Sequence, residues 1–306
     1  MNNPAVAILM STYNGERFLT EQINSILNQS YQNIHLFIRD DGSSDKTLDL
    51  LKKFEKSPLI TVSIDNNNLG YKNSFLTLIQ SVLNQKERFK YFAFSDQDDV
   101  WHREKIFSAV KLLEKNNQNS FRLYYTGLTF VDEHLNTLRV KKETQTVITF
   151  GAEIVRHSVS GATVVFSREL GEKVVQYEDV FQIRDGHDAL IFRINAALEG
   201  KFIYDESNFI KFRRHNSNTS NATSGLLNKI RNELLNSNSS EIDTAKFIKR
   251  HFSEILSYQI SNEIDTLLNY QKSLINKYKL IKHKSFRREK KIMNILFMYR
   301  IIFNKI

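Results

Sequence analysis

Over the first hundred positions, short apolar runs alternate with stretches whose apolar residues fall at helical spacing. Residues 5–10 are continuously apolar and predict a buried strand. The run ends in the polar turn Ser11-Thr12-Tyr13-Asn14-Gly15. Residues 16–29 then carry Phe18, Leu19, Ile23, Ile26 and Leu27 on one helical face. Residues 34–38 predict a second strand, closing in Asp40-Asp41-Gly42-Ser43-Ser44-Asp45, with Ser44 as the N-cap of a helix over 46–54. Residues 59–64 predict a third strand, and a turn through Asn68-Leu69-Gly70 leads to a helix over 74–83. Residues 91–95 predict a fourth strand, which stops at Asp96, Asp98 and Asp99 before a helix that starts near His102. Four such alternations predict an α/β fold with a doubly wound, mostly parallel sheet. Loops after the first, second and fourth strands then converge on the edge where such sheets bind ligands.

The later pattern is less regular. Residues 122–131 predict one strand, and residues 159–166 another, opened by the Ser160-Gly161 turn. Gly186-His187-Asp188-Ala189 opens a helix running to about residue 199. Residues 202–204 and 209–212 predict short strands. The stretch 216–224 is rich in Asn, Ser and Thr and predicts a loop or hinge. From 226 to 306 the spacing is helical throughout. A boundary near residue 220 separates an α/β region, 1–220, from a helical region, 221–306.

Composition narrows the possibilities. The 306 residues are 41% hydrophobic and 25% charged, enough for a sizeable core. The absence of cysteine excludes disulfides, thiolate metal sites and a cysteine nucleophile. The first ten residues carry no basic leader, and no apolar run approaches the roughly 18 residues of a membrane span. A net charge of +9 points to acidic partners. The excess basic residues crowd the C-terminal segment and not a stacking platform, which disfavours nucleic acid.

Three carboxylates as close as Asp96, Asp98 and Asp99 repel one another unless solvated or neutralised by a cation. Asp-x-Asp suits a hard divalent ion that also grips a diphosphate, the plainer alternative being a solvated acidic turn. A nucleotidyltransferase would use similar carboxylates but calls for a glycine-rich phosphate loop after the first strand, which Thr12-Tyr13-Asn14-Gly15 does not supply.

Several motifs together, Ser11-Thr12-Tyr13-Asn14-Gly15, Asp40-Asp41-Gly42-Ser43-Ser44-Asp45, Asn68-Leu69-Gly70 and Asp96-Gln97-Asp98-Asp99-Val100-Trp101, resemble the family 2 glycosyltransferases of GT-A fold. The resemblance covers residues 4–218. Ser160-Gly161, His187-Asp188 and Arg213-Arg214-His215-Asn216 make it most similar to bacterial polysaccharide rhamnosyltransferases. It implies an inverting, metal-dependent hexosyltransferase that moves a sugar, L-rhamnose from dTDP-rhamnose, onto a saccharide or lipid-linked acceptor. UDP-glucose, UDP-galactose or an amino sugar are the alternative donors, and a non-catalytic nucleotide-binding subunit is the alternative of another class.

The resemblance also implies roles. Nucleotide-sugar binding falls in residues 1–100 and the acceptor side in 101–220. Asp98 and His215 are expected to ligate Mg2+ or Mn2+. Thr12, Tyr13, Asn14, Asp40, Asp41, Asn73, Asp96 and Arg213 are expected to bind the nucleotide sugar. Asp188 is expected to be the general base, with helix capping as the plain alternative. Trp101 and His187 are expected to face the acceptor. A cytoplasmic location follows. The basic segment 272–291 and the apolar tail 292–303 suit peripheral contact with the inner face of an anionic membrane, or else packing in a core or homo-oligomer.

Overall fold

The computed structural model describes residues 3–142, 148–155, 159–215, 240–288 and 291–306. The chain divides into two compact units: Met1–Gln145 with Val159–Gln176 and Gly200–Asn216, and Thr146–Ser158 with Tyr177–Glu199 and Ser217–Ile306. The boundary expected near residue 220 and the loop expected over 216–224 lie outside the described residues.

The first unit holds all eleven described strands. β1 (Val6–Thr12), β2 (Ile34–Asp40), β3 (Ile60–Ile64) and β4 (Tyr91–Ser95) run parallel, with β1 between β2 and β4. β6 (Arg122–Thr126) and β10 (Lys201–Asp205) form another parallel pair, and β9 (Val165–Ser167) joins the two groups, antiparallel to both β4 and β6. The resulting seven-stranded order is β10-β6-β9-β4-β1-β2-β3. Val6 to Met10 and Tyr91 to Phe94 are buried because these central strands are covered on both faces, which is why they read as unbroken apolar runs. β3, an edge strand, is correspondingly more polar and exposed.

A second sheet, ordered β5-β11-β7-β8, comprises β5 (Val100–Trp101), β7 (Leu128–Val131), β8 (Thr137–Lys141) and β11 (Ile210–Arg213). Helices α1 (Leu19–Leu27), α2 (Thr47–Phe54), α3 (Gly70–Leu83), α4 (Lys105–Lys115) and α6 (Arg168–Val174) complete the unit. Leu19, Ile23 and Ile26 of α1 and Ile106, Ala109 and Leu113 of α4 join the strands in one buried cluster.

Three local expectations are corrected. Residues 122–131 form two strands in different sheets, because the chain turns at Gly127. There a Cβ would lie 2.4 Å from the Lys141 carbonyl oxygen and 2.3 Å from Asn208 Oδ1, so only glycine admits the approach. Residues 160–163 close into a 3₁₀ turn, with Thr163 Oγ1 and N–H both donating to the Ser160 carbonyl, before β9 begins. Ser44 does not cap α2: Asp45 Oδ1 accepts from the Thr47 N–H at 3.0 Å, while the Ser44 N–H donates to Asn14 Oδ1.

The second unit is helical in its described residues: α5 (Phe150–Val155), α7 (His187–Ala197), α8 (Ser240–Phe252), α9 (Tyr258–Leu268), α10 (Leu274–Lys282) and α11 (Lys291–Ile302). Ser257 and Ser273 divide the C-terminal run, each accepting from a backbone N–H in the first turn of the helix it caps. The α11 segment presents two faces. Leu296, Phe297 and Ile301 are buried, whereas Ile295, Ile302 and the following Phe303 are exposed. Among the described residues no helix is long and apolar enough to cross a membrane.

Gly127→Ala is expected to lower stability by about 1–3 kcal/mol, since backbone must move to admit the methyl group. The midpoint of chemical or thermal denaturation checks this, and an unchanged midpoint would refute the packing argument.

Candidate active site

At the carboxyl edge of the large sheet, the loops after β1, β2 and β4 are tied together by side chains. Asp40 is buried and accepts from Thr12 Oγ1 at 2.8 Å, the Ser43 N–H at 2.8 Å and Ser43 Oγ at 2.6 Å. Asn14, in the left-handed region at φ 48°, donates its N–H to Ser43 Oγ and accepts from the Ser44 N–H. The backbone of Tyr13 and the side-chain amide of Gln97 exchange two hydrogen bonds of 3.0 Å, which join the first loop to the fourth. The Tyr13 ring stays 50% exposed at this edge.

Asp41 is also buried. It pairs with the guanidinium of Arg39 and accepts from the N–H groups of Leu69 at 2.9 Å and Gly70 at 2.8 Å, where α3 begins. A carboxylate at that helix end also meets the positive pole of the helix. Arg39 reaches on to Asp65 and to Ser74 of α3. Asp40 and Asp41, expected to bind the nucleotide sugar, are thus engaged in holding the loops. The sequence argument missed Arg39; its signal was one charge in an otherwise apolar strand, two residues before Asp41. In α3, Asn73 Oδ1 is buried without a hydrogen-bond partner and leaves an acceptor available beside this edge.

The loop after β4 meets residues more than a hundred positions away. β5 pairs antiparallel with β11, matching Trp101 to Ile210 and Val100 to Lys211. That pairing brings His215 Nε2 to 2.8 Å from Asp98 Oδ2. The imidazole also packs against Phe18, with centroids 4.9 Å apart. Asp96 is partly buried two residues before Asp98.

Arg213 and Trp101 both turn inward. Arg213 is 1% exposed: its Nε donates to the Asp98 carbonyl at 2.9 Å, its guanidinium pairs with Glu21, and its N–H donates to Asp99 Oδ1 at 3.1 Å. It holds the carboxylate loop from inside and presents no free fork to a phosphate. Trp101, expected to face an acceptor, is 4% exposed and lies in the core cluster, its N–H donating to Ser25 Oγ. Asp99 turns inward as well, and burial, then the charges of Asp98 and Asp96, push its pKa well above the usual carboxylate range.

In the second unit, Asp188 stands in the first turn of α7, partly exposed, and its Oδ1 accepts from the Ala189 N–H at 2.8 Å. His187 is buried, which removes it from open contact with an acceptor. The segment leading to Asp188 is pinned to α8: Arg184 pairs with Asp243 at 2.6 Å, and Asp185 is held by Arg193 and Thr244.

Residues 7–174, more than half the chain, match the family described as glycosyl transferase family 2. The chain belongs to that family. It is a glycosyltransferase of GT-A fold, of the inverting type that draws on nucleotide sugars. It is 28% identical to the dTDP-rhamnosyl transferase RfbG of Shigella flexneri, over 68% of this chain and 72% of that one. In fold it is similar to S. aureus TarS 1-349 in complex with UDP-GlcNAc (TM-score 0.61, 15% identity, 98% of this chain and 80% of that one). It is also similar to the mannosyltransferase PcManGT of Pyrobaculum calidifontis in complex with GDP-Man and Mn2+ (TM-score 0.53, 15% identity, 100% and 89%). The family match contains the strand-end residues from Thr12 to Trp101, whereas His187, Asp188, Arg213 and His215 lie beyond it.

Asp41→Ala in this glycosyltransferase is expected to cost about 1–3 kcal/mol, because it removes the buried partner of Arg39, which keeps Asp65, and leaves the Leu69 N–H without its acceptor. A loss of stability below 1 kcal/mol by chemical denaturation would show that Asp41 does not hold the loop.

Proposed function

We propose that this glycosyltransferase is metal-dependent and moves L-rhamnose from dTDP-rhamnose onto a saccharide or lipid-linked acceptor during cell-surface polysaccharide synthesis. The observation that carries the metal is the contact between Asp98 and His215, a carboxylate oxygen and an imidazole nitrogen brought together from distant positions. Among the described residues no cluster of three His, Cys, Asp or Glu side chains is present. Two protein donors nonetheless suit Mg2+ or Mn2+, which keep waters and substrate phosphate oxygens as their other ligands. Such an ion supplies charge neutralisation for the leaving diphosphate. The rhamnosyl donor is supported by the likeness to the Shigella enzyme.

In this reading Asp98 and His215 hold the ion, and Asp96 contacts the ion or the ribose. Tyr13, Thr12, Asn14 and Asn73 line or support the nucleotide end. Asp188 accepts the acceptor's hydroxyl proton as that oxygen bonds to the anomeric carbon and the nucleoside diphosphate leaves with the electrons of the broken bond. One displacement inverts the centre. A carboxylate ordinarily near 4 is a modest base, so its effect rests on aim, and the pinning of its segment by Asp185, Arg193 and Thr244 supplies rigidity.

A further part of the proposal concerns the second unit, which we read as a peripheral contact with an anionic membrane where a lipid-linked acceptor resides. On α10, Leu274 is 82% and Tyr278 61% exposed, on one helical face. Lys277 ties this helix to α11 by donating to the Ile302 carbonyl at 2.7 Å, next to Phe303, which is 59% exposed. Lys272, Lys279 and Lys282 flank the apolar side chains, and each cation near an anionic leaflet adds about 1 kcal/mol.

Asp98→Asn is expected to lose Mn2+ binding and at least 10²-fold in turnover, and Asp188→Asn to keep donor binding while losing roughly 10² to 10⁴ in rate. Calorimetry with a panel of nucleotide sugars, alongside product assays, checks both variants and the donor. Normal turnover by either variant defeats its assigned role, and a stronger response to a UDP-sugar than to dTDP-rhamnose defeats the rhamnosyl assignment. For the membrane, the full chain is expected to float with anionic vesicles in low salt. Leu274→Ser/Tyr278→Ser/Phe303→Ser is expected not to float. Flotation unaffected by these substitutions refutes the surface, and concentration-dependent dimers that these substitutions abolish favour an oligomer contact instead.

A further inference from the structure

The carboxylate loop after β4 rests on a buried cation that the proposed chemistry does not use. Lys105, the first residue of α4, is 0% exposed, and its ammonium has no hydrogen-bond partner. It lies 3.5 Å from the centroid of the Trp101 ring, close enough for a strong cation–π attraction in a desolvated setting. The charge of Asp99 acts on it, and Asp99 is itself 0% exposed, with Oδ2 left without a hydrogen-bond partner. Burial drives the Lys105 pKa down to about 7, so this ammonium is held at a cost. An apolar side chain of the same length would fill the space without that cost, and buried ion pairs are often replaced by apolar groups with no loss of stability. Stability therefore does not explain a lysine here.

The surroundings show what it does act on. With the Gln22 amide assigned the orientation that satisfies both its oxygen and its nitrogen, Trp101 Nε1 donates to the Gln22 side-chain oxygen at 3.2 Å and the Gln22 amide donates to the Asp99 carbonyl at 2.8 Å. Trp101 and Asp99 thus belong to one buried network beneath the loop, and Asp98 lies between this anchor and His215. Arg213, whose charge also acts on Asp99, has its guanidinium engaged with Glu21 and two backbone carbonyls. Lys105 is a second buried cation that feels the Asp99 charge.

We propose that Lys105 is a positioning residue, whose buried ammonium, set against the Trp101 ring, fixes that ring and with it the course of the 96–101 loop, and so the aim of Asp98 at His215. This rests on the assignment of Asp98 as a metal ligand. The test uses the full chain and Lys105→Met, which keeps length and removes charge; Lys105→Gln takes its place if the first variant fails to fold. Trp101 is the only tryptophan, so its fluorescence reports on the loop directly. The expected result is a melting midpoint no lower than that of the parent, acrylamide quenching of Trp101 raised at least two-fold, and Mn2+ binding weakened at least ten-fold by electron paramagnetic resonance. Excess Mn2+ should restore turnover. Quenching or Mn2+ affinity equal to the parent's in a folded variant overturns the proposal. If Asp98→Asn binds Mn2+ as the parent does, the metal assignment has failed on its own, and quenching alone then decides whether Lys105 holds the loop.

Discussion

Asp40, Asp41, Asp96, Asp98 and Asp99 end or follow β2 and β4, the two strands that flank β1, and like charge is thereby concentrated at one sheet edge. Carboxylates this close disfavour one another's ionisation unless each finds donors or a cation. Three of them turn inward, Asp40 and Asp41 paired at both oxygens and Asp99 at one. Asp40 is met by Thr12 and Ser43, Asp41 by Arg39 and the start of α3, and Asp99 by the Arg213 N–H and the field of Lys105. Asp96 and Asp98 are left toward the edge, with His215 against Asp98. Arg39, Lys105 and Arg213 follow from this constraint, since buried cations would be costly in a core with no carboxylates to balance.

The small sheet solves the complementary problem of delivering His215. Gly127 lets the chain leave the large sheet after β6, and β7 then receives β11 in parallel register. The two-residue β5 pairs with β11 from the other side. A short pairing of that kind contributes little by itself, but it sets the distance between Asp98 and His215. Arg213 reinforces it by bonding to the Asp98 carbonyl and reaching Glu21 of α1.

In the second unit the C-terminal helices have a second role besides their exposed apolar face. α8 supplies Asp243 and Thr244 to the segment 184–185, and the Asp185–Arg193 pair ties that segment to α7. On the proposed reading of Asp188, a base that works through aim needs such support. The family match ends at residue 174, so the residues that provide this support lie beyond it.

The order of strands and helices was legible because hydrophobic period is local: Val6 to Met10 and Tyr91 to Phe94 announce central strands, and Leu19, Ile23 and Ile26 announce the face of α1. The convergence of three polar loops on one edge followed from the parallel topology alone. What each polar residue does was not legible. Asp41 and Asp40 have the same side chain as Asp98, and Arg213 is as basic as any surface arginine. Only burial and partners separate an engaged carboxylate from an open one, and those depend on pairings such as Trp101 with Ile210 across more than a hundred residues. The split of residues 122–131 between two sheets was hidden for the same reason, since the Lys141 carbonyl that demands Gly127 comes from a strand the local pattern does not see. The amino-acid sequence by itself determined the family, the sheet and the edge at which its polar loops converge. Tertiary structure alone decided which charges face that edge and which are buried to hold it, because local period records burial of a face and carries no information on which distant group will satisfy a charge.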